Sequence, residues 1–109
     1  MGQTLDFNKA KKQYLTIVLP DEKQTRLLLI TPTKGLLTAL ADMLPESADV
    51  PAEEDLGALY DLCAQIMSRN KAGRKVTAKE LEELLDFEDL IIFFNAYTEF
   101  IESVSNSKN

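Results

Sequence analysis

The chain reads as an α+β protein, an N-terminal β-hairpin followed by about four α-helices, with helix predominating. Three observations predict this. Residues 14–30 hold two short apolar runs separated by a turn sequence; beyond Thr31 the apolar period changes from two to steps of three and four; and proline, glycine and two N-cap signals punctuate the helical part. A length of 109 residues is enough for one core and too short for two, so a single globular domain over 1–104 is expected, ending in a frayed polar tail, 105–109. An apolar fraction of 45% against 28% charged residues is that of a folded chain, not a disordered one.

Met1 to Asn8 sets Leu5 and Phe7 in alternation with Thr4 and Asp6, the pattern of a short edge strand or an ordered arm, and Lys9, Lys11 and Lys12 follow as a polar connector. Tyr14 to Leu19 alternates, Leu15, Ile17 and Leu19 on one side and Tyr14, Thr16 and Val18 on the other, and is rich in β-branched and aromatic types. Pro20-Asp21-Glu22-Lys23 supplies turn chemistry, and Thr25 to Ile30 is the second strand, giving a hairpin over about 14–30. A lone hairpin is marginal in water, so the helices must cover one of its faces.

Thr31-Pro32 places an N-cap before a proline at the first helical position and predicts a helix over about 32–44, with Leu36, Leu37, Leu40, Ala41 and Leu44 at helical spacing until Pro45. Glu46 to Pro51 is a polar, proline-bounded connector. A second helix, about 52–69, carries Leu56, Leu59, Tyr60, Cys63, Ile66 and Met67 on one stripe and Glu53, Glu54 and Asp55 in its first turn, where the helix dipole favours them. Asn70 to Arg74 contains the asparagine and glycine of a helix stop and loop. Thr77 with Glu80 forms a capping box and Val76 with Leu81 a hydrophobic staple, opening a short helix over about 78–85. Asp86 is an N-cap followed by Glu88 and Asp89, and opens a last helix over about 87–104, which implies a corner at Leu85-Asp86 with almost no loop.

The charge pattern limits function. A net charge of −6 argues against general affinity for nucleic acid or anionic membranes, whose phosphates need a basic surface. No apolar run approaches the roughly 20 residues of a membrane span, and no signal-peptide pattern opens the chain. With one cysteine, Cys63, no internal disulfide forms, in keeping with a cytoplasmic location. The absence of histidine removes Cys-His and Ser-His catalysis, and Cys63 lies on an apolar stripe as a packing thiol. Carboxylate groups such as Glu82 and Glu83, or Glu53 to Asp55, sit on solvated faces without flanking ligands, and Gly73 lacks the spacing of a phosphate loop. No enzymatic activity, cofactor or metal is expected.

Two features point to protein contacts. The acidic stretch from Asp42 to Asp61 is followed by a basic block, Arg69, Lys71, Arg74, Lys75 and Lys79, before the chain turns acidic again from Glu80. Either these are solvated faces, or Arg69, Lys71, Arg74 and Lys75 meet an acidic face of another copy in a homo-oligomer. The basic loop 69–75 is also the place where a nucleic-acid-binding regulator would hold its target, although it has no aromatic residue for stacking. On the last helix, apolar residues from Phe87 to Val104 span an arc of about 180°, against the roughly 100° that docking on one core requires. Ile92 falls outside even that arc. Ile92, Phe93, Tyr97 and Phe100 are therefore the candidate partner-binding residues, the alternative being a core helix covered on both flanks.

Met67-Ser68-Arg69-Asn70-Lys71, Val76-Thr77, Leu81-Glu82-Glu83, Leu85 to Leu90 and Phe94-Asn95-Ala96-Tyr97-Thr98-Glu99-Phe100-Ile101, with Leu5-Asp6-Phe7 and Thr31-Pro32-Thr33-Lys34, resemble the tail assembly chaperones of long-tailed phages and prophages of Gram-positive bacteria. The resemblance implies a small, mostly helical, non-enzymatic protein of the host cytoplasm, absent from the mature virion. Such a protein binds the phage tape-measure protein, and possibly the tail-tube protein, and keeps the former soluble while the tube polymerises. It also implies a frameshifted longer product, for which Ser107-Lys108-Asn109 permits a slippery codon run. Under this reading Ile92, Phe93, Tyr97 and Phe100 grip an amphipathic helix of the tape-measure protein. A small protein-protein adaptor, or a structural tail component, is the alternative.

Overall fold

The computed structural model describes residues 2–7, 11–43 and 53–106. In chain order the elements are β1 (Leu15–Val18), β2 (Arg26–Leu29), α1 (Lys34–Met43), α2 (Glu53–Met67), α3 (Ala78–Leu84) and α4 (Phe87–Asn106). This is the α+β, mostly helical arrangement of a hairpin followed by four helices. The connector Glu46 to Pro51, Leu44, Lys9 and the last three residues of the polar tail lie outside the described residues.

β1 and β2 pair antiparallel, with Leu15 opposite Leu29 and Ile17 opposite Leu27. Leu19 N–H donates to Thr25 O at 2.8 Å and so closes the ladder next to the turn. The turn is held by Asp21, whose carboxylate accepts from Thr25 N–H at 2.8 Å and from Thr25 Oγ1 at 2.6 Å. Those bonds keep Gln24 in the left-handed region, φ 49°, where a non-glycine residue rests only when its neighbours hold it. Leu19, Leu27 and Leu29 face the core and Thr16 and Val18 face water, which follows the alternation of the strand. Leu5 and Phe7 form no strand. Both lie in an exposed arm.

Helix α2 is the centre of the molecule and packs against α1, α3, α4 and β2. Its covered surface is wider than the stripe read from sequence: Leu62 and Ala64 are buried together with Leu59, Cys63, Ile66 and Met67, while Leu56 and Tyr60 are only half-buried. A helix touched from several sides needs more than one apolar stripe. The rest of the core comes from Val76, Leu81, Leu85, Leu90, Phe93, Phe94, Tyr97 and Phe100. Each fully enclosed side chain of this size contributes roughly 1.5–3 kcal/mol.

The start of α1 departs from expectation. Its N-cap is Thr33, not Thr31: Thr33 Oγ1 accepts from Leu36 N–H at 3.3 Å and Thr33 O from Leu37 N–H at 2.9 Å. Thr31 is held elsewhere, because its carbonyl accepts from Arg69 Nε at 3.3 Å and Nη2 at 3.1 Å. Pro32 thus precedes the helix instead of opening it. Among the described residues of the expected α1 stripe, only Leu40 is fully buried, and Leu37 stays 45% exposed.

The corner between α3 and α4 is built by two caps. Thr77 Oγ1 accepts from Glu80 N–H at 3.2 Å and opens α3. Leu85, in extended conformation, closes it by donating to Leu81 O at 2.7 Å. Asp86 and Asp89 then form a reciprocal box: Asp89 N–H donates to Asp86 Oδ1 at 2.8 Å and Asp86 N–H to Asp89 Oδ2 at 3.0 Å. Tyr60 Oη reaches across from α2 to donate to Leu85 O, which pins the corner to the central helix. Burial and then the carboxylates of Asp86, Glu82 and Asp89 push the Tyr60 hydroxyl pKa upward, so it remains a donor at neutral pH. Helix α4 runs to Asn106, two residues past the expected Val104, so Ser105 and Asn106 belong to the helix.

Candidate functional site

The basic stretch after α2 is a structural joint. Ile30 N–H donates to Arg69 O at 3.1 Å and Lys71 N–H to Leu28 O at 2.9 Å, so residues 69–71 form a one-bridge third strand along the outer edge of β2. Asn70 organises the joint from a buried position. Its Nδ2 donates to Met67 O at 2.8 Å and to Arg74 O at 2.7 Å, and its Oδ1 accepts from Arg74 N–H at 2.9 Å. Gly73, at φ 74°, closes the tight turn by donating to Asn70 O at 3.0 Å, a backbone state that glycine adopts without strain. Ser68 Oγ bridges to both the N–H and the carbonyl of Val76, at 2.9 and 3.0 Å.

This geometry redistributes the four residues expected at an oligomer contact. Arg69 spends its guanidinium on Thr31 O. Arg74 pairs with Glu80 at 3.1 Å in a half-exposed ion pair. Lys71 places its ammonium 5.4 Å from the centre of the Tyr14 ring, a cation–π contact. Lys75 is exposed and borders a cavity of about 660 Å³ between the start of α1, the end of α2 and Val76, lined by side chains of mixed polarity such as Asp61, Gln65 and Arg69. Three of the four cations therefore hold the domain together locally, which is a job that charge runs do not reveal in sequence.

The four residues expected to bind a partner divide differently. Phe93, Tyr97 and Phe100 belong to the core, 6%, 0% and 8% exposed. Their rings form a row along α4, Phe93 and Tyr97 stacked at 5.8 Å and Tyr97 and Phe100 tilted at 6.0 Å. Tyr97 Oη donates to Ile30 O at 2.9 Å, so this row packs beneath the hairpin. Burial pushes the Tyr97 hydroxyl up to about 12 and it stays a neutral donor. Ile92 is 60% exposed. The expected four-residue face thus reduces to Ile92, which lies outside the apolar arc that packs on the core.

Ile92 has company that sequence reading did not assign. A groove of about 250 Å³ runs between the end of β1 and the first turns of α4, lined by Ile17, Val18, Leu19, Pro20, Met67, Leu85, Asp89, Ile92 and Phe93. Val18, on the outward side of its strand, is 51% exposed and lines this groove together with Ile92. The signal was present in the alternation: an isoleucine- or valine-sized residue on the water side of a strand is surplus to the core. Asp89 sits at the rim and Asp86 and Glu88 nearby are exposed, so the apolar groove has an acidic margin.

Cys63 is enclosed, and burial pushes its thiol up to about 12, so the nucleophilic thiolate is suppressed at neutral pH. Among the described residues no group of three or more histidine, cysteine, aspartate or glutamate side chains is placed to hold a metal ion, and no helix is long and apolar enough to cross a membrane. Comparison of the chain with family models, with curated proteins and with solved structures returns no match.

Proposed function

We propose that this chain is a non-enzymatic tail assembly chaperone of the long-tailed phage type, which binds an amphipathic helix of the tape-measure protein in the groove between β1 and α4. The observation that carries the reading is the pairing of two exposed aliphatic side chains, Val18 and Ile92, across an apolar groove on an otherwise well-buried core. Such a groove offers a place where one apolar side chain of a partner helix can be covered. An amphipathic helix fits its chemistry: one apolar side chain enters above Met67 and Phe93, and lysine or arginine beside it meets the acidic margin of Asp86, Glu88 and Asp89. The likeness of the chain to tail assembly chaperones supplies the identity of the partner.

The test is retention of purified tape-measure fragments on immobilised protein, with light scattering of the fragment as a second readout. Replacing Ile92 with aspartate is expected to weaken retention by roughly tenfold or more, the loss of one apolar anchor. Because Ile92 is largely exposed, the fold should survive, its stability within about 0.5 kcal/mol of the parent. Unchanged retention by a folded Ile92→Asp, Val18→Asp double variant removes the groove from the mechanism. Finding the protein as a stoichiometric part of purified virions would favour a structural tail component instead.

A further inference from the structure

The hairpin has two edges, and among the described residues only the β2 edge is bonded to another segment. Along β2 the outward groups of Leu28 and Ile30 are bonded to Lys71 and Arg69. On β1 the register puts Leu15, Ile17 and Leu19 in the hydrogen-bonded pairs facing β2, so the N–H and C=O groups of Thr16 and Val18 point the other way. Among the described residues the sheet is two-stranded and no strand pairs with the outer edge of β1. Such an edge accepts a further strand, and proteins usually blunt it with charge, proline or a covering segment. Pro20 limits the acceptor to the stretch before it; neither Thr16 nor Val18 carries charge.

The same chain exposes a segment with strand-like spacing. Leu5 and Phe7, two residues apart, are each 71% exposed in an arm without regular structure. In an added strand both side chains fall on one face, where they lie over the groove lined by Ile17, Ile92 and Phe93. Exposed Lys11 and Lys12 follow the arm, and exposed Asp86 and Glu88 lie beside the groove, so the charges are complementary. Area also favours exchange between two copies. Leu5, Phe7, Val18 and Ile92 are 51–71% exposed; enclosed on both copies, eight such side chains at about 100 Å² each amount to on the order of 800 Å². Paired backbones add the remainder of the roughly 1,200 Å² at which specific interfaces begin.

We infer that residues 2–7 of one copy add as a strand to the open β1 edge of a second copy, reciprocally, seating Leu5 and Phe7 in the groove beside Ile92. The arm takes the same groove that the tape-measure reading uses, so the two occupants compete; the dimer is tested with the purified chain alone, without any tape-measure fragment. Light scattering after size exclusion should give twice the 12.2 kDa of one chain at micromolar concentration and above, and a single-chain mass for the variants Leu5→Asp with Phe7→Asp and Val18→Pro. The proline removes an edge donor that the hairpin does not use.

Disulfide trapping separates exchange from closure within a chain. Mixing Phe7→Cys protein with Ile92→Cys protein under mild oxidation should give a covalent pair of the two chains, at least tenfold more than Phe7→Cys mixed with Glu102→Cys. Cys63 is enclosed and stays out of the reaction. A single-chain mass at all concentrations overturns the inference. So does a disulfide that forms only inside a chain carrying both substitutions, which would mean that the arm covers its own groove.

Discussion

Removing the side chain of Asn70 should destabilise the domain more than any other single polar substitution described above. In Asn70→Ala three hydrogen bonds disappear, to Met67 O at 2.8 Å, Arg74 O at 2.7 Å and Arg74 N–H at 2.9 Å, from a residue only 7% exposed. Each bond contributes roughly 0.5–1.5 kcal/mol net, and a partner left unsatisfied out of water costs roughly 1–3 kcal/mol. Because the turn can open and let water reach Arg74, the lower end applies there, and the expected loss is about 2–4 kcal/mol. For a domain near this size that lowers the melting temperature by about 10–25 °C. The assay is urea unfolding followed by circular dichroism, with wild type, Asn70→Ala and Asn70→Asp compared. Aspartate keeps the acceptor for Arg74 N–H and loses both donors, so it should not rescue. Amide exchange adds a local readout, since Lys71 N–H, bonded to Leu28 O, should lose protection before the core does. A change under about 0.5 kcal/mol with an unaltered denaturant slope would refute the assignment of Asn70 as the organiser of the joint.

Asp86→Ala removes the N-cap of α4 and should cost about 1 kcal/mol by thermal unfolding, a loss that asparagine, a good cap, largely restores. Tyr97→Phe keeps the stacked row and deletes only the bond to Ile30 O, so a loss of about 0.5–1.5 kcal/mol is expected, with slower-protected amides confined to the hairpin. The Asp21 carboxyl lies below its ordinary 3.8 because Thr25 donates to it from side chain and backbone. Its contribution is therefore present above pH 3.8 and lost as pH falls through the lower folded value, and the stability gap between wild type and Asp21→Asn should narrow on acidification across that range. Cys63, enclosed and with its thiol pushed up to about 12, should resist a thiol reagent in the native protein and react at the rate of unfolding; rapid native labelling would contradict its place in the core.

What was legible in the sequence was local. The caps at Thr77 and Asp86 and the absence of a loop at Leu85-Asp86 rest on residues within four positions of one another, the hairpin on partners no more than 14 apart, and the structure builds them from those same residues. The readings that changed rest on partners far along the chain. Thr31 lost its capping role to Thr33 because Arg69, 38 positions away, binds its carbonyl. The basic block looked like free surface because nothing near it in sequence reveals that β2 needs a neighbour. Phe93, Tyr97 and Phe100 were indistinguishable from an exposed stripe on a helical wheel, since a wheel shows width and not what covers it, and Tyr97 is anchored 67 positions away at Ile30. Ile92 was separable because it lay outside any arc that one core could use.

The unequal finish of the two hairpin edges also bears on how the protein behaves when concentrated. A cross-β filament grows only if every member donates one edge and accepts on the other, and each added layer must renew the template. Here the β2 side is already occupied by Arg69 and Lys71 from the same polypeptide. In the reciprocal dimer both β1 edges are taken by arms, so neither hairpin keeps an edge for the next arrival and its growth stops there. Breaking the Asn70 joint would release that second side, turning a self-limiting contact into a propagating one.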